Sequence, residues 1–171
     1  MVKALGIGCI LISSAAAGLT VYRNVQTQRQ QLALLLRLME QFQRELSFHL
    51  TPIPTLFFET GGGKGEGVEG LFTKIGDYLS QKDGCTLQYA FSNALQNTQK
   101  LNLPTGVHTL LLDFSKEFGK LGIEESISGM EKTIYYLKEE QNRLCAFSRD
   151  RLKCVVTLLL CTGLALAVIL I

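Results

Sequence analysis

The sequence predicts an all-α protein, in which an antiparallel bundle of five to six helices stands on a two-helix transmembrane hairpin. Three observations support this prediction. The chain carries an uncharged apolar stretch close to its start and another at its end. Between these stretches, apolar residues recur three and four positions apart, as they do on one face of a helix. No segment shows the period of two that is typical of a half-buried strand.

The stretch Cys154–Ile171 predicts a transmembrane helix. It contains no charged residue and no Asn, Gln or Pro. As a helix of about 18 residues it would span about 27 Å, close to the hydrocarbon thickness of a bilayer. Basic residues precede it at Arg149, Arg151 and Lys153. A buried core helix or an element swapped between two copies is the alternative interpretation.

Residues 4–22 form the second uncharged stretch and predict another transmembrane helix. A cleaved signal peptide is the alternative, because Lys3 resembles the basic start of such a peptide and Ala15–Ala17 resembles a cleavage site. The apolar run is long for a signal peptide, however. Basic residues also cluster on the inner side of both stretches, which favours a cytoplasmic domain over residues 23–153 with both termini outside.

Within residues 23–153, breaks in the apolar pattern divide the chain into helices. The polar segment Gln26–Gln31 predicts a solvated stalk, and an apolar seam then runs from Leu32 to Leu46. Thr51–Pro54 ends this helix, because proline lacks an amide donor. A short helix follows over Pro54–Glu59, with a proline in its first turn. Four more helices are predicted from the apolar faces Val68 to Leu79, Leu87 to Leu95, Val107 to Phe118 and Ile127 to Leu144.

The glycine-rich segment Gly61–Gly67 invites comparison with a phosphate-binding loop. That motif places a glycine five residues before its Gly-Lys pair and a Ser or Thr directly after the pair. Phe58 and Gly65 stand at these two positions. A flexible loop between helices is therefore predicted instead.

No residue constellation in the sequence predicts catalysis, a metal site or a cofactor. The two histidines, His49 and His108, lack the Glu-x-x-His and His-x-x-x-His spacings of metal ligands, and no serine lies in a Gly-x-Ser-x-Gly motif. Three of the five cysteines lie in or beside the apolar ends, and the other two, Cys85 and Cys145, lack Cys-x-x-Cys spacing. This favours small buried thiols in a reducing compartment over a disulfide framework or a zinc site. A net charge of only +2 excludes a strong nucleic-acid footprint.

Short loops make neighbouring helices alternate in direction, which assigns the loops to two ends of the bundle. The loops near 61–67 and 100–106 should lie beside the membrane and form a basic face toward anionic headgroups. We predict that this face consists of Arg23, Lys64, Lys100, Arg149, Arg151 and Lys153. The loops near 51–54, 80–86 and 119–124 should lie at the far end and face a protein partner. The residues of this surface are Thr51, Pro52, Pro54, Lys82, Asp83, Gly119, Lys120, Gly122 and Glu124.

In their order along the chain, several features resemble the stage III sporulation protein AB family of endospore-forming bacteria. They are the hairpin topology, the seam from Leu32 to Leu46, the Thr51–Pro54 break, the segment Phe118–Glu124 and the ending Gly163–Leu170. The similarity covers essentially the whole chain.

The resemblance implies a non-catalytic membrane platform in the channel that joins mother cell and forespore, a secretion-like apparatus required for sporulation. The family is similar to the F-domain platform proteins of type II secretion systems, whose helical bundles couple a cytoplasmic ATPase to the membrane assembly. The implied partners are membrane lipids and other channel proteins of the same operon, especially its cytoplasmic ATPase, with no nucleic acid and no small-molecule substrate. The implied location is the mother-cell membrane that engulfs the forespore. A membrane-tethered adaptor for another cytosolic partner is the alternative.

Overall fold

The computed structural model describes residues 2–48, 52–81, 85–118 and 126–145, together with Thr157 and Cys161. These residues form six helices and no strand, which confirms the predicted all-α class. The helices are α1 (Val2–Phe48), α2 (Ile53–Gly61), α3 (Gly67–Gln81), α4 (Leu87–Asn97), α5 (Thr105–Phe118) and α6 (residues 126–145).

The chain divides into two compact units. One contains residues 28–141, and the other contains residues 1–27 and 142–171. Among the described residues, every buried hydrophobic side chain from Leu32 to Leu137 belongs to the first of these units, which we call the bundle unit. Within it, consecutive helices pack against each other, α2 on α3, α3 on α4 and α4 on α5.

The predicted membrane hairpin is not visible in the described part of the chain. Residues 4–22 lie within α1, and residues 154–171 lie outside the described residues except for Thr157 and Cys161. No described helix combines the length and the apolar character that crossing a bilayer requires. The two-helix hairpin therefore stays a prediction.

The apolar seams of the sequence supply the core of the bundle unit, as predicted. Residues of α1, α3, α4, α5 and α6 on these seams are buried, and the last residues of several seams, such as Leu46 and Leu79, are half-buried. The buried set includes Leu32, Leu35, Met39, Phe42, Val68, Leu71, Phe72, Ile75, Leu87, Phe91, Ala94, Leu95, Val107, Leu111, Phe114, Phe118, Met130, Ile134 and Leu137.

The short helix α2 places a phenylalanine at the centre of this core. The ring of Phe57, which is 1% exposed, has its centroid 4.4 Å from that of Phe42, 5.8 Å from that of Phe72 and 5.7 Å from that of Phe91. Tilted and edge-to-face aromatic pairs add to the free energy that burial itself contributes. Phe57 therefore joins α1, α3 and α4 through one side chain.

Two helix ends have capping residues, Gly62 at the end of α2 and Thr86 at the start of α4. Helix α2 runs two residues further than the predicted Glu59, because Gly62 adopts a left-handed conformation (φ 61°) and donates its N–H to the Glu59 carbonyl at 3.0 Å. At the start of α4, the Thr86 hydroxyl oxygen accepts a hydrogen bond from the Tyr89 N–H at 3.3 Å. Of the predicted loops near 80–86 and 119–124, residues 82–84 and 119–124 lie outside the described residues.

Candidate functional site

Two loops of the bundle unit meet beside α1. The loop that joins α2 to α3 reaches the loop that joins α4 to α5 through a single parallel bridge between Glu66 and Gln99. The Gly67 N–H donates to the Gln99 carbonyl at 2.9 Å. We call residues 61–67 and 98–104, with Gln28 and Gln31 of α1, the loop junction.

The side-chain amide of Gln31 ties α1 to the second loop. Its Nε2 donates to the Lys100 carbonyl at 2.6 Å, and its Oε1 accepts from the Asn102 N–H at 2.6 Å. One helical turn earlier, Gln28 Nε2 donates to Asn102 Oδ1 at 3.1 Å. The predicted solvated stalk Gln26–Gln31 is therefore corrected for Gln28 and Gln31, which are half-buried and hold the loop in place.

The glycine-rich segment has a defined backbone conformation. Gly62, Gly63 and Gly67 have φ angles of 61°, 67° and 62°, in the left-handed region that residues with a Cβ rarely adopt. Lys100, in the opposite loop, also has a positive φ of 56°. The interpretation of this segment as a flexible linker is therefore incomplete, because its glycines permit the tight turns that bring Glu66 to Gln99.

Two other glycines allow close contact between backbone segments. A Cβ at Gly70 in α3 would lie 2.5 Å from the carbonyl carbon of Gly65, and a Cβ at Gly61 in α2 would lie still closer to Thr73 Oγ1. Both distances are shorter than any normal contact between these atoms. Because these glycines have no side chain, α2 and the loop that follows it can pack closely on α3.

The charged side chains of the loop junction neutralise each other. Lys64 Nζ lies 2.8 Å from Glu69 Oε2, and Lys100 Nζ lies 2.6 Å from Glu66 Oε2. An open cleft of about 250 Å³ is lined by Glu66, Glu69 and Lys100, and by Gln31 of α1. These four charged side chains carry no net charge together, although the sequence predicts that both lysines belong to a basic face.

Of the other residues of the predicted basic face, only Arg23 is described, and it belongs to the unit that contains residues 1–27. Arg23 is exposed on α1. Arg149, Arg151 and Lys153 lie outside the described residues. The structure thus brings Lys64 and Lys100 to one junction, and the basic face as a whole stays a prediction.

Only the first part of the predicted partner-facing surface is described. Pro52 is exposed before the first turn of α2, and Pro54 is half-buried within that turn. Thr51, Lys82, Asp83, Gly119, Lys120, Gly122 and Glu124 lie outside the described residues. The structure adds two exposed apolar side chains on α2 that the sequence analysis missed, Ile53 at 38% and Phe58 at 46% exposure. The periodicity of so short a helix gives no signal that separates Phe58 from its buried neighbour Phe57.

The cysteines and histidines form no metal-binding group among the described residues. Cys85 is half-buried, and Cys145 and Cys161 are exposed. The predicted burial of these thiols is therefore wrong for Cys145, which lies on the outer face of α6. His108 is half-buried in α5, and His49 lies outside the described residues.

Comparisons with known proteins agree with the resemblance drawn from the sequence. A sequence model of the family described as stage III sporulation protein AB matches residues 3–171. A solved structure described as stage III sporulation protein AB aligns with a TM-score of 0.64 and 16% sequence identity, over 72% of this chain and 98% of that chain. At this identity the likeness shows the fold alone. Among curated proteins, no significant match is found.

Proposed function

This chain belongs to the stage III sporulation protein AB family, which implies a role in sporulation, and we propose that it is a non-catalytic membrane platform there. In this role it joins the channel between mother cell and forespore and couples a cytoplasmic secretion-type ATPase to the membrane assembly. The observation that carries the proposal is the family match over residues 3–171, which includes both predicted membrane stretches and the whole bundle unit.

The membrane attachment follows from the two apolar stretches, residues 4–22 and 154–171. In the proposed arrangement both stretches cross the mother-cell membrane that engulfs the forespore, both termini lie outside, and the bundle is cytoplasmic. Arg23, Arg149, Arg151 and Lys153 then face anionic headgroups. Lys64 and Lys100 contribute less to this attraction, because each already has a carboxylate partner.

The proposed contact with the ATPase lies at the loops that the sequence assigns to the far end of the bundle. Pro52 and the exposed Ile53 begin this surface on α2. Exposed apolar side chains beside loops are common anchors of protein interfaces. Lys82, Asp83, Lys120 and Glu124 extend the proposed surface.

The first experiment determines on which side of the membrane the bundle lies. A single cysteine at Lys120→Cys, with the native cysteines replaced, is labelled in intact cells by a membrane-impermeant maleimide. Protection until the membrane is opened is the expected result. Labelling in intact cells would exclude the platform proposal, and an amino terminus near Gly18 would then support a cleaved signal peptide.

The second experiment tests the ATPase contact directly. The full-length chain is co-purified with the ATPase of the same operon, and variants at Lys120 and Glu124 are compared with a variant at Lys64, which belongs to the loop junction. We expect a loss of co-purification for the first two variants only. Binding of a different cytosolic protein, with none of the ATPase, would instead support the membrane-tethered adaptor.

A further inference from the structure

Helix α1 exposes one regular face along the bundle unit. Its exposed residues between positions 28 and 46 recur three or four positions apart, so they form a single stripe along the helix. We call this set the α1 stripe, and its members are Gln30, Ala33, Arg37, Gln41 and Arg44. The opposite side of the same helix carries the buried seam from Leu32 to Phe42.

The α1 stripe is positively charged and contains no acidic residue. Arg37 and Arg44 have no ion-pair partner among the described residues. Glu40, which lies beside the stripe, is bound by Lys138 at a distance of 2.8 Å. The described part of the bundle thus leaves the two stripe arginines open to an external anion.

Four other exposed cations of the bundle unit are paired with carboxylates, whereas the exposed Lys132 of α6 forms no ion pair with a described residue. Lys64, Lys100, Lys116 and Lys138 each lie 2.6–2.9 Å from a carboxylate of this chain. Arg37 and Arg44 thus place two unpaired cations on one helix face, whereas Lys132 is a single unpaired cation on α6.

The spacing of the two arginines favours a particular partner shape. They lie seven residues apart on one face, which corresponds to two helical turns and about 10.5 Å along the axis. A guanidinium group binds a carboxylate through two parallel hydrogen bonds. Ala33 lies between Gln30 and Arg37 on the stripe, and its side chain is small enough for a neighbouring helix to approach closely.

We propose that the α1 stripe is a docking surface for an acidic helix of the cytoplasmic ATPase, one that presents two carboxylates about two turns apart. This inference rests on the proposed function, and it adds a contact that is separate from the far-end loops. A membrane surface fits less well, because Ala33, the one apolar residue of the stripe, is too small to anchor the helix in a bilayer. A nucleic acid fits less well, because two cations neutralise too few phosphates.

The test uses the full-length chain, purified in detergent, and the double variant Arg37→Gln/Arg44→Gln. The control is Lys116→Gln/Lys132→Gln, which removes the same charge from exposed lysines outside the stripe and outside the predicted basic face. Three properties are measured for each protein: affinity for the purified ATPase, binding to phosphatidylglycerol-containing vesicles, and self-association by sedimentation. Circular dichroism melting establishes that every variant is folded.

We expect the stripe variant to bind the ATPase about tenfold or more weakly than the unaltered chain, because charge-assisted contacts are lost. The control should bind as the unaltered chain does. The affinity of the unaltered chain should also fall as salt is raised, since a charged interface is screened.

The other outcomes overturn the inference in distinguishable ways. Equal ATPase binding by the stripe variant overturns the docking surface and leaves the platform proposal intact. A loss that is confined to vesicles or to self-association assigns the stripe to lipid or to a second copy of this chain. Absence of ATPase binding by the unaltered chain overturns both proposals.

Discussion

At the scale of single residues, Gln31 has the clearest role in positioning the loop junction. Both ends of its amide bind loop backbone, at the Lys100 carbonyl and the Asn102 N–H. Lys100 has a left-handed φ of 56°, which is uncommon for a residue with a side chain. The Gln31 amide therefore supports a loop conformation that the local sequence alone does not favour.

Replacing Gln31 by alanine should lower the free energy of unfolding by about 1–2 kcal/mol, because two backbone groups lose their partner. Denaturant unfolding of the purified chain measures the change. Gln41→Ala is the matched control on the same helix, since Gln41 is exposed, and it should change the value by less than about 0.5 kcal/mol. Equal effects of the two substitutions would contradict the role of Gln31.

Gly61→Ala should destabilise the chain by about 1–3 kcal/mol, because the added Cβ would overlap Thr73 Oγ1 and the Glu69 carbonyl oxygen. Gly129→Ala in α6 is the control, because no atom lies within 4 Å of a Cβ at that position. The control should be neutral or stabilise the helix by up to about 1 kcal/mol. Thermal melts of both variants measure the difference, and destabilisation by Gly129→Ala alone would refute this account of the α2–α3 packing.

At the scale of helices, the sequence predicts most of what the structure contains. Five apolar seams identify α1, α3, α4, α5 and α6. A helix that buries one face repeats apolar residues every three or four positions, and this repeat can be read from the sequence of the helix itself. The backbone conformation of Gly61–Gly67 cannot be predicted from such a repeat, because it depends on contacts with residues far away in the sequence. Gln31 and Lys100 lie 69 residues apart, so the bond between them leaves no local pattern.

Helix α2 provides a direct test of which side of a short helix is buried. Phe57→Ala should cost about 3–5 kcal/mol, because it removes a ring that contacts three other aromatic rings. The neighbouring Phe58→Ala should cost far less, since its side chain is 46% exposed. Urea denaturation of the two variants compares them. Similar losses would mean that α2 is oriented differently.

At the scale of the whole molecule, the core that the described residues form lies within one of the two units. Every buried hydrophobic residue that the structure describes lies between Leu32 and Leu137. The bundle unit, residues 28–141, includes this entire set. A domain of this length can bury enough apolar surface to be stable by itself.

A fragment of residues 28–141 should therefore fold without the remainder of the chain. We expect a helical circular dichroism spectrum, a cooperative thermal transition and dispersed amide signals in NMR spectra. A fragment that starts at Met39 instead lacks Leu32, Leu35 and Gln31 and should not fold cooperatively. Failure of the longer fragment to fold would mean that the first and last segments contribute to the core.

The loop junction also has a consequence for the order in which the chain folds. Contacts among α2, α3, α4 and α5 join helices that follow one another in sequence, and such local contacts form rapidly. The bonds of Gln31 close loops of 69 and 71 residues. During synthesis, α1 leaves the ribosome well before Lys100 and Asn102 have been added to the chain. The apolar seam of α1 therefore cannot pack until the later helices have also emerged. We expect the junction to form after the folding transition state, so that it lengthens the lifetime of the native state without making folding faster.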